Sequence, residues 1–112
     1  MYEDDQLEAM RWEITRPCEA VIRQLKVSTG EKQELWGLYE AIEQPRDRLH
    51  KTVWEIHRGS IWDRPYTAAY NAVDEAAQDI SFAIGADDDL DRMGFMEKTS
   101  QHLQRAVDAL YS

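Results

Sequence analysis

Apolar residues recur at spacings of three and four along most of the chain, the period of one face of an α-helix. Gly30, Gly59 and Gly85 divide this pattern into four segments, and none alternates apolar and polar residues as a strand does. The first segment predicts a helix over about residues 3–27. We therefore expect an all-α chain with these core residues: Leu7, Met10, Ile14, Cys18, Val21, Leu25, Leu35, Leu38, Ile42, Leu49, Val53, Ile56, Tyr66, Tyr70, Val73, Ala77, Ile80, Ile84, Met96, Leu103, Val107 and Leu110.

The connections between these segments are short, which makes successive helices antiparallel neighbours. We predict an antiparallel up-down-up-down four-helix bundle, and a dimer of helical hairpins is the competing assembly. Pro17 and Pro45 fall inside the first two segments, and each removes a backbone hydrogen bond. Helices 1 and 2 are therefore expected to be kinked or broken at these prolines. Helix 3 is expected to pack closely against a neighbouring helix through its alanines.

Helix starts are predicted from capping patterns. Ser28 precedes Glu31 by three residues, which is the spacing of a capping box, and Asp63 stands just before Pro65. We expect Ser28 and Asp63 to be N-caps of helices 2 and 3. Carboxylates in ADDDLD, residues 86–91, suit the N-terminus of helix 4 because they complement the helix dipole.

Length and composition indicate one domain over residues 1–112. A hydrophobic content of 43% with four tryptophans is too high for a disordered chain. Cys18 is the single cysteine, and no apolar run resembles a signal peptide or a membrane span. We expect a cytoplasmic protein that does not bind membranes.

The charge of the chain is −9 and is unevenly distributed. Residues 63–91 hold eight acidic residues and only one basic residue. This balance argues against direct binding to a nucleic-acid phosphate backbone, which requires clustered Lys and Arg, and favours a protein partner with a basic surface. We predict a continuous negative ridge on helix 3 and the following turn, formed by Asp74, Glu75, Asp79, Asp87, Asp88, Asp89 and Asp91. The competing interpretation is an acidic face that only aids solubility.

Calcium binding is tested by the spacing of Asp87, Asp89 and Asp91, which matches the first three ligands of an EF-hand. Arg92 stands where that loop requires glycine, and Lys98 where it requires a bidentate glutamate. The three aspartates therefore fit an acidic helix start better than a calcium loop.

Enzymatic sites have little support in the sequence. The di-iron bundles need Glu-x-x-His pairs, which His50 and His102 do not complete, so we expect surface or boundary histidines. A magnesium-dependent nucleotide pyrophosphohydrolase of the MazG type needs clustered carboxylates, and the nearest strings here are EKQE and DEAAQD. Glu75 and Asp79 in the second string fall opposite the apolar stripe, as on a solvated face. We predict a non-enzymatic protein without metal or cofactor, and keep this hydrolase as the second alternative.

Trp12 lies opposite the core stripe if helix 1 runs unbroken through Pro17. An outward tryptophan is typical of a protein contact, since Trp and Arg dominate interface hot spots. The alternatives are a local cation–π pair with Arg16 and a break at Pro17 that buries the ring. Phe82 is similarly predicted to point outward from helix 3.

A second set of aromatic residues follows one side of helix 2. Trp36 and Trp54 are five turns apart and align along the helix, with Tyr39 and His50 beside them. This strip flanks the core stripe, so core-edge packing is expected, and a homodimer contact is the alternative.

These patterns lead to one functional hypothesis and a runner-up. The first is a small acidic binding protein of the stoichiometric inhibitor, immunity, antitoxin or nucleic-acid mimic type, in which the ridge steers a basic partner and Trp12 and Phe82 anchor it. The runner-up is a structural or regulatory subunit that forms homo-oligomers through the strip on helix 2.

Overall fold

The computed structural model describes residues 2–111, which fold into four helices. Their bounds are α1 Asp4–Val27, α2 Lys32–Glu55, α3 Asp63–Gly85 and α4 Asp89–Tyr111. Each helix packs against its neighbours along the chain, and α4 also packs against α1. Of the diagonal pairs, α1 and α3 meet through the Tyr66 hydroxyl, which donates to the backbone carbonyl of Leu7. The predicted all-α, up-down-up-down four-helix bundle is confirmed, with principal extents of 45, 21 and 19 Å.

Both prolines lie inside continuous helices. Pro17 is within α1 and Pro45 within α2, so of the two expected outcomes, a kink or a break, the break does not occur at either position. In α1 the core positions Ile14, Cys18 and Val21 continue in phase across the proline and are all buried. Burial of that stripe outweighs the hydrogen bond that the proline cannot make.

The predicted N-caps are both displaced. Ser28 ends α1 instead of starting α2, and its hydroxyl oxygen accepts a hydrogen bond from the Gly30 backbone N–H at 3.1 Å. Gly30 has φ +82°, a conformation that glycine adopts without strain, and α2 begins at Lys32 after Glu31. Asp63 is the first helical residue of α3, because the preceding residues form a turn held by Ser60.

The core is continuous along the bundle and contains nearly all of the predicted residues. Met10, Val53, Ile56 and Tyr70 are only partly buried. The α3 and α4 helices make the most extensive contact of any pair, whereas α1 and α2 make the least extensive one. Small buried side chains on the side of α3 that carries Asp79, which contacts His102 of α4, favour this close approach, since alanine lets two backbones come near each other; they are Ala69, Ala72, Ala76 and Ala83.

Candidate functional site

Four exposed aspartates crowd the turn between α3 and α4. Asp88 caps the start of α4, since its carbonyl accepts from the Arg92 N–H at 3.0 Å and its Oδ1 accepts from the Leu90 N–H at 3.0 Å. Asp89 Oδ1 lies 2.7 Å from the Arg92 Nη1. The side chains of Asp87 and Asp91 make no hydrogen bond or ion pair with any residue from 2 to 111. The carboxylates therefore form an acidic helix start, as predicted, and do not converge as calcium ligands do.

The negative ridge predicted along α3 is interrupted at Asp79. The side chain of Asp79 is only 13% exposed, and its Oδ2 lies 2.5 Å from Nδ1 of His102 on α4. Nε2 of the same ring lies 3.0 Å from Glu75 Oε2. The expectation that Asp79 faces solvent is wrong. The core stripe from Tyr66 to Ile84 marks only one buried side of α3, and the neighbouring side is covered by α4.

Asp74 and Glu75 contribute to different parts of the surface. Asp74 is partly buried and accepts a hydrogen bond from Gln78 Nε2 at 3.2 Å, one turn further along the same helix. Glu75 is more than half exposed but is directed toward His102. The acidic surface therefore consists of the turn at residues 87–91 and a separate α3–α4 cluster, instead of one ridge.

Phe82 is exposed, as predicted from its position opposite Tyr66 and Ile84. Its side chain is 56% exposed, and its ring centroid lies 5.4 Å from that of Phe95 on α4. Phe82 stands one turn before the end of α3, close to the acidic turn. This aromatic pair and the aspartates therefore lie at the same end of the bundle.

Trp12 is also exposed, but it lies on another face of the molecule. The residue is 56% exposed, and the Arg16 guanidinium carbon lies 5.5 Å from the ring centroid. It therefore points outward, as the unbroken helix predicts, and also makes the local cation–π contact. Trp12 precedes the end of α1 by 15 residues, or about 22 Å of helix, and α1 lies diagonally across the bundle from α3. Trp12 and Phe82 cannot anchor the same compact ligand.

The strip on α2 is more exposed than expected. Tyr39 packs at the edge of the core, as predicted, but Trp36 is 53% exposed and Trp54 79% exposed, so core-edge packing is wrong for both tryptophans. The Trp54 indole N–H donates to His50 Nε2 at 3.3 Å, and the Trp36 ring contacts Tyr39 edge-on at 5.8 Å. The two tryptophans are held by neighbours on their own helix and remain available to solvent.

A half-open groove lies beside the acidic turn, between the end of α1 and the start of α4. Its volume is about 860 Å³, and Leu25, Met93 and Met96 supply apolar lining. Met93 and Leu90 are largely exposed. The sequence contains a signal for this site, since Leu90 and Met93 are apolar residues off the core stripe of helix 4, but periodicity alone does not show that α1 ends opposite them.

Two buried groups have altered acidity. Burial raises the pKa of the Cys18 thiol to about 12, with a smaller contribution from Glu19. Burial also raises the pKa of Tyr66 to about 12, and its hydroxyl donates to the backbone carbonyl of Leu7. Both side chains are almost completely buried, and within residues 2–111 no three His, Cys, Asp or Glu side chains are arranged to hold a metal ion. Both groups act in stability.

Comparison of the chain with models of protein families, with curated proteins and with solved structures finds no match. Within the described part of the chain, no helix has both the length and the apolar character needed to cross a bilayer. The function is therefore argued from the chemistry of the surface alone.

Proposed function

We propose that this protein is a non-enzymatic binding module that engages a basic surface of a protein partner through the α3–α4 end of the bundle. The observation that supports this most is the crowding of Asp87, Asp88, Asp89 and Asp91 beside exposed apolar side chains. Carboxylates steer a basic partner toward the site, and apolar contacts then hold it. A stoichiometric inhibitor, an immunity protein, an antitoxin or a nucleic-acid mimic would each use such a surface.

The structure divides the proposed contact residues into two groups. Phe82 stays with the acidic turn, whereas Trp12 lies on the far side of the bundle, and Asp79 is occupied by His102. The proposal therefore assigns steering to the aspartates of the turn and an anchoring contact to Phe82. A contact at Trp12 would need a partner large enough to wrap around the bundle.

Charge reversal tests the proposal without disturbing the start of α4. The side chains of Asp87 and Asp91 make no internal hydrogen bond or ion pair within residues 2–111, so Asp87→Lys combined with Asp91→Lys leaves the Asp88 cap in place. Affinity capture from a lysate of the source cells, followed by stopped-flow binding of the recovered partner, measures the effect. We expect association to slow by about tenfold or more at low salt and to lose most of its salt dependence.

A matched control reverses Glu40 and Glu55 on α2, which changes the net charge equally at another place. This control should associate at nearly the rate of the unmodified protein. Equal association rates for the two double variants would show that the acidic turn has no special role.

A second candidate function is a homo-oligomeric structural or regulatory subunit, favoured by the exposure of Trp36 and Trp54 on one line of α2. Large exposed aromatic residues of this kind are typical of protein contacts. Sedimentation equilibrium over a wide concentration range tests this. A dimer that dissociates on Trp54→Ser substitution would support it, and a monomer at all concentrations would contradict it.

A further inference from the structure

The groove beside the acidic turn provides what the aspartates alone do not, namely a place for an apolar side chain. Leu25 at the end of α1 and Met96 on α4 form its buried floor, and Met93 forms part of its exposed rim. The volume of about 860 Å³ is that of a site for a small ligand or several side chains. Methionines adapt their shape to different apolar partners.

The floor of the groove is fixed by Arg92. Its guanidinium donates to Asp89 Oδ1 at 2.7 Å and to the Ala86 carbonyl at 3.0 Å, so its charge is already neutralised within the fold. The loop closes over its side chain at Gly30, where an added Cβ would lie 3.2 Å from Arg92 Cδ. Arg92 is therefore held in one position at the groove by partners of the same fold.

The rim of the groove leaves two apolar side chains uncovered, Leu90 at 76% and Met93 at 66% exposure. Apolar groups exposed together and surrounded by charged residues are typical of an interaction site. The charges that line the groove balance, since Lys26 and Arg92 offset Asp89 and Glu97. Asp87, Asp88 and Asp91 next to it remain uncompensated, so the mouth is strongly negative.

We propose that this groove seats the apolar face of a basic amphipathic segment of the partner, with flanking Lys or Arg side chains against Asp87, Asp88 and Asp91. This inference rests on the proposed function and names the occupant of the same end of the bundle. A second copy of the chain does not fit, because it would bring two acidic turns together. An anionic membrane surface is disfavoured by the same repulsion.

Two designed peptides provide the probe. One is an 18-residue amphipathic helix of Leu and Lys, and the other has every Leu replaced by Ser at the same charge. Fluorescence anisotropy measures both affinities at low and high salt. We expect the Leu–Lys peptide to bind at least about tenfold more tightly than the Ser–Lys peptide, since one buried Leu or Met side chain accounts for that factor.

Substitutions distinguish the contribution of the groove to peptide binding from that of the aspartates. Leu90→Ser combined with Met93→Ser should abolish the preference for the Leu–Lys peptide. Ile61→Ser, which replaces an exposed apolar residue outside the groove, should preserve it. Asp87→Asn combined with Asp91→Asn should weaken both peptides. If the preference depends on Leu90 and Met93 and the aspartate variants bind both peptides as well as before, the role of the groove is supported and the role of the aspartates in steering is contradicted. If both peptides bind equally and only the aspartate variants weaken them, steering stands and the groove is rejected.

Methionine methyl NMR locates the bound peptide directly. Met93 and Met96 line the groove, while Met10 lies in the first half of α1, far from it. Addition of the Leu–Lys peptide should shift the methyl resonances of Met93 and Met96 and leave that of Met10 unchanged. A shift of Met10 as large as those of the groove methionines, or no binding of either peptide, overturns the inference.

Discussion

The α3–α4 pair packs differently from the α1–α2 pair. Alanines along α3 let α4 approach closely, and the partly buried pair of Asp79 and His102 joins the two helices. The α1 and α2 helices make the least extensive contact, and an exposed ion pair between Glu13 and Arg48 links them. Their tryptophans point outward. The size of the interfacial side chains, and not the apolar period, distinguishes the two halves.

The two helix pairs therefore contribute differently to the stability of the fold and to its exposed surface. A closely packed α3–α4 pair holds the acidic turn at its end in a fixed geometry, because both helices that flank the turn are immobilised by their contact. The α1–α2 pair presents Trp12, Trp36 and Trp54 on a surface whose packing depends less on them. Substitutions at equivalent positions of the two pairs should therefore differ in cost.

The largest expected effect is on alkaline stability, to which each half contributes one buried acid. Cys18 belongs to α1 and Tyr66 to α3, and burial raises both pKa values to about 12 from ordinary values of 9.0 and 10.0. Below about pH 9 both groups are protonated in the folded and unfolded chains, so stability is complete. Between about pH 9 and 12 only the unfolded chain ionises, and stability falls by about 4 kcal/mol by pH 11.

Denaturant unfolding at pH 8 and pH 11 measures this loss. Cys18→Ala should reduce it by more than Tyr66→Phe, since the thiol has the larger pKa shift. Equal losses in the unmodified protein and in both variants would show that other groups govern the alkaline limit.

Overpacking of the α3–α4 contact is the next largest effect. Ala76 shares a stripe with Asp79, which contacts α4, so Ala76→Leu should force these helices apart and cost about 3 kcal/mol. The matched variant is Ala41→Leu on α2, two turns before Arg48 and on the same side, facing α1. We expect Ala41→Leu to cost less than about 1 kcal/mol in urea unfolding. Similar costs at both positions would remove the proposed difference between the pairs.

The two interhelical side-chain contacts should also differ. Asp79→Asn removes a partly buried charged hydrogen bond to His102 and should destabilise the protein by about 2 kcal/mol. Arg48→Ala breaks the exposed pair with Glu13 and should cost less than about 1 kcal/mol. Double-mutant cycles with His102→Gln and Glu13→Ala isolate the two coupling energies, which should not be equal.

Glycine substitutions give the smallest effects and differ in sign. Gly37 in α2 and Gly94 in α4 have no atom within 4 Å of an added Cβ, so replacement of either by Ala should stabilise by up to about 1 kcal/mol. This gain comes from helix propensity and should be equal in the two halves. Gly30→Ala should instead destabilise by about 1 kcal/mol, because its φ is +82° and Arg92 lies close. Thermal melts of the three variants check these signs.

The sequence predicts the fold better than it predicts the site, for reasons visible in particular residues. Each helix carries its own apolar stripe, so helix number, approximate bounds and most of the core follow from local periodicity. The exposure of Trp12 and Phe82 follows in the same way. The burial of Asp79 does not follow, because it depends on His102, which lies 23 residues away on another helix. Periodicity does not reveal the groove either, because the groove exists only where α1 ends beside α4.

Pro17 and Pro45 give the two halves different local dynamics. Neither proline has an N–H to donate to the carbonyl four residues earlier, at Glu13 and Ala41. The α1 and α2 helices therefore each lack one backbone hydrogen bond. The α3 interior has no such gap, since Pro65 occupies its first turn. Amide protons near the middle of α1 and α2 should therefore exchange with solvent deuterium through local opening, whereas those of α3 and α4 should exchange only when the whole bundle unfolds.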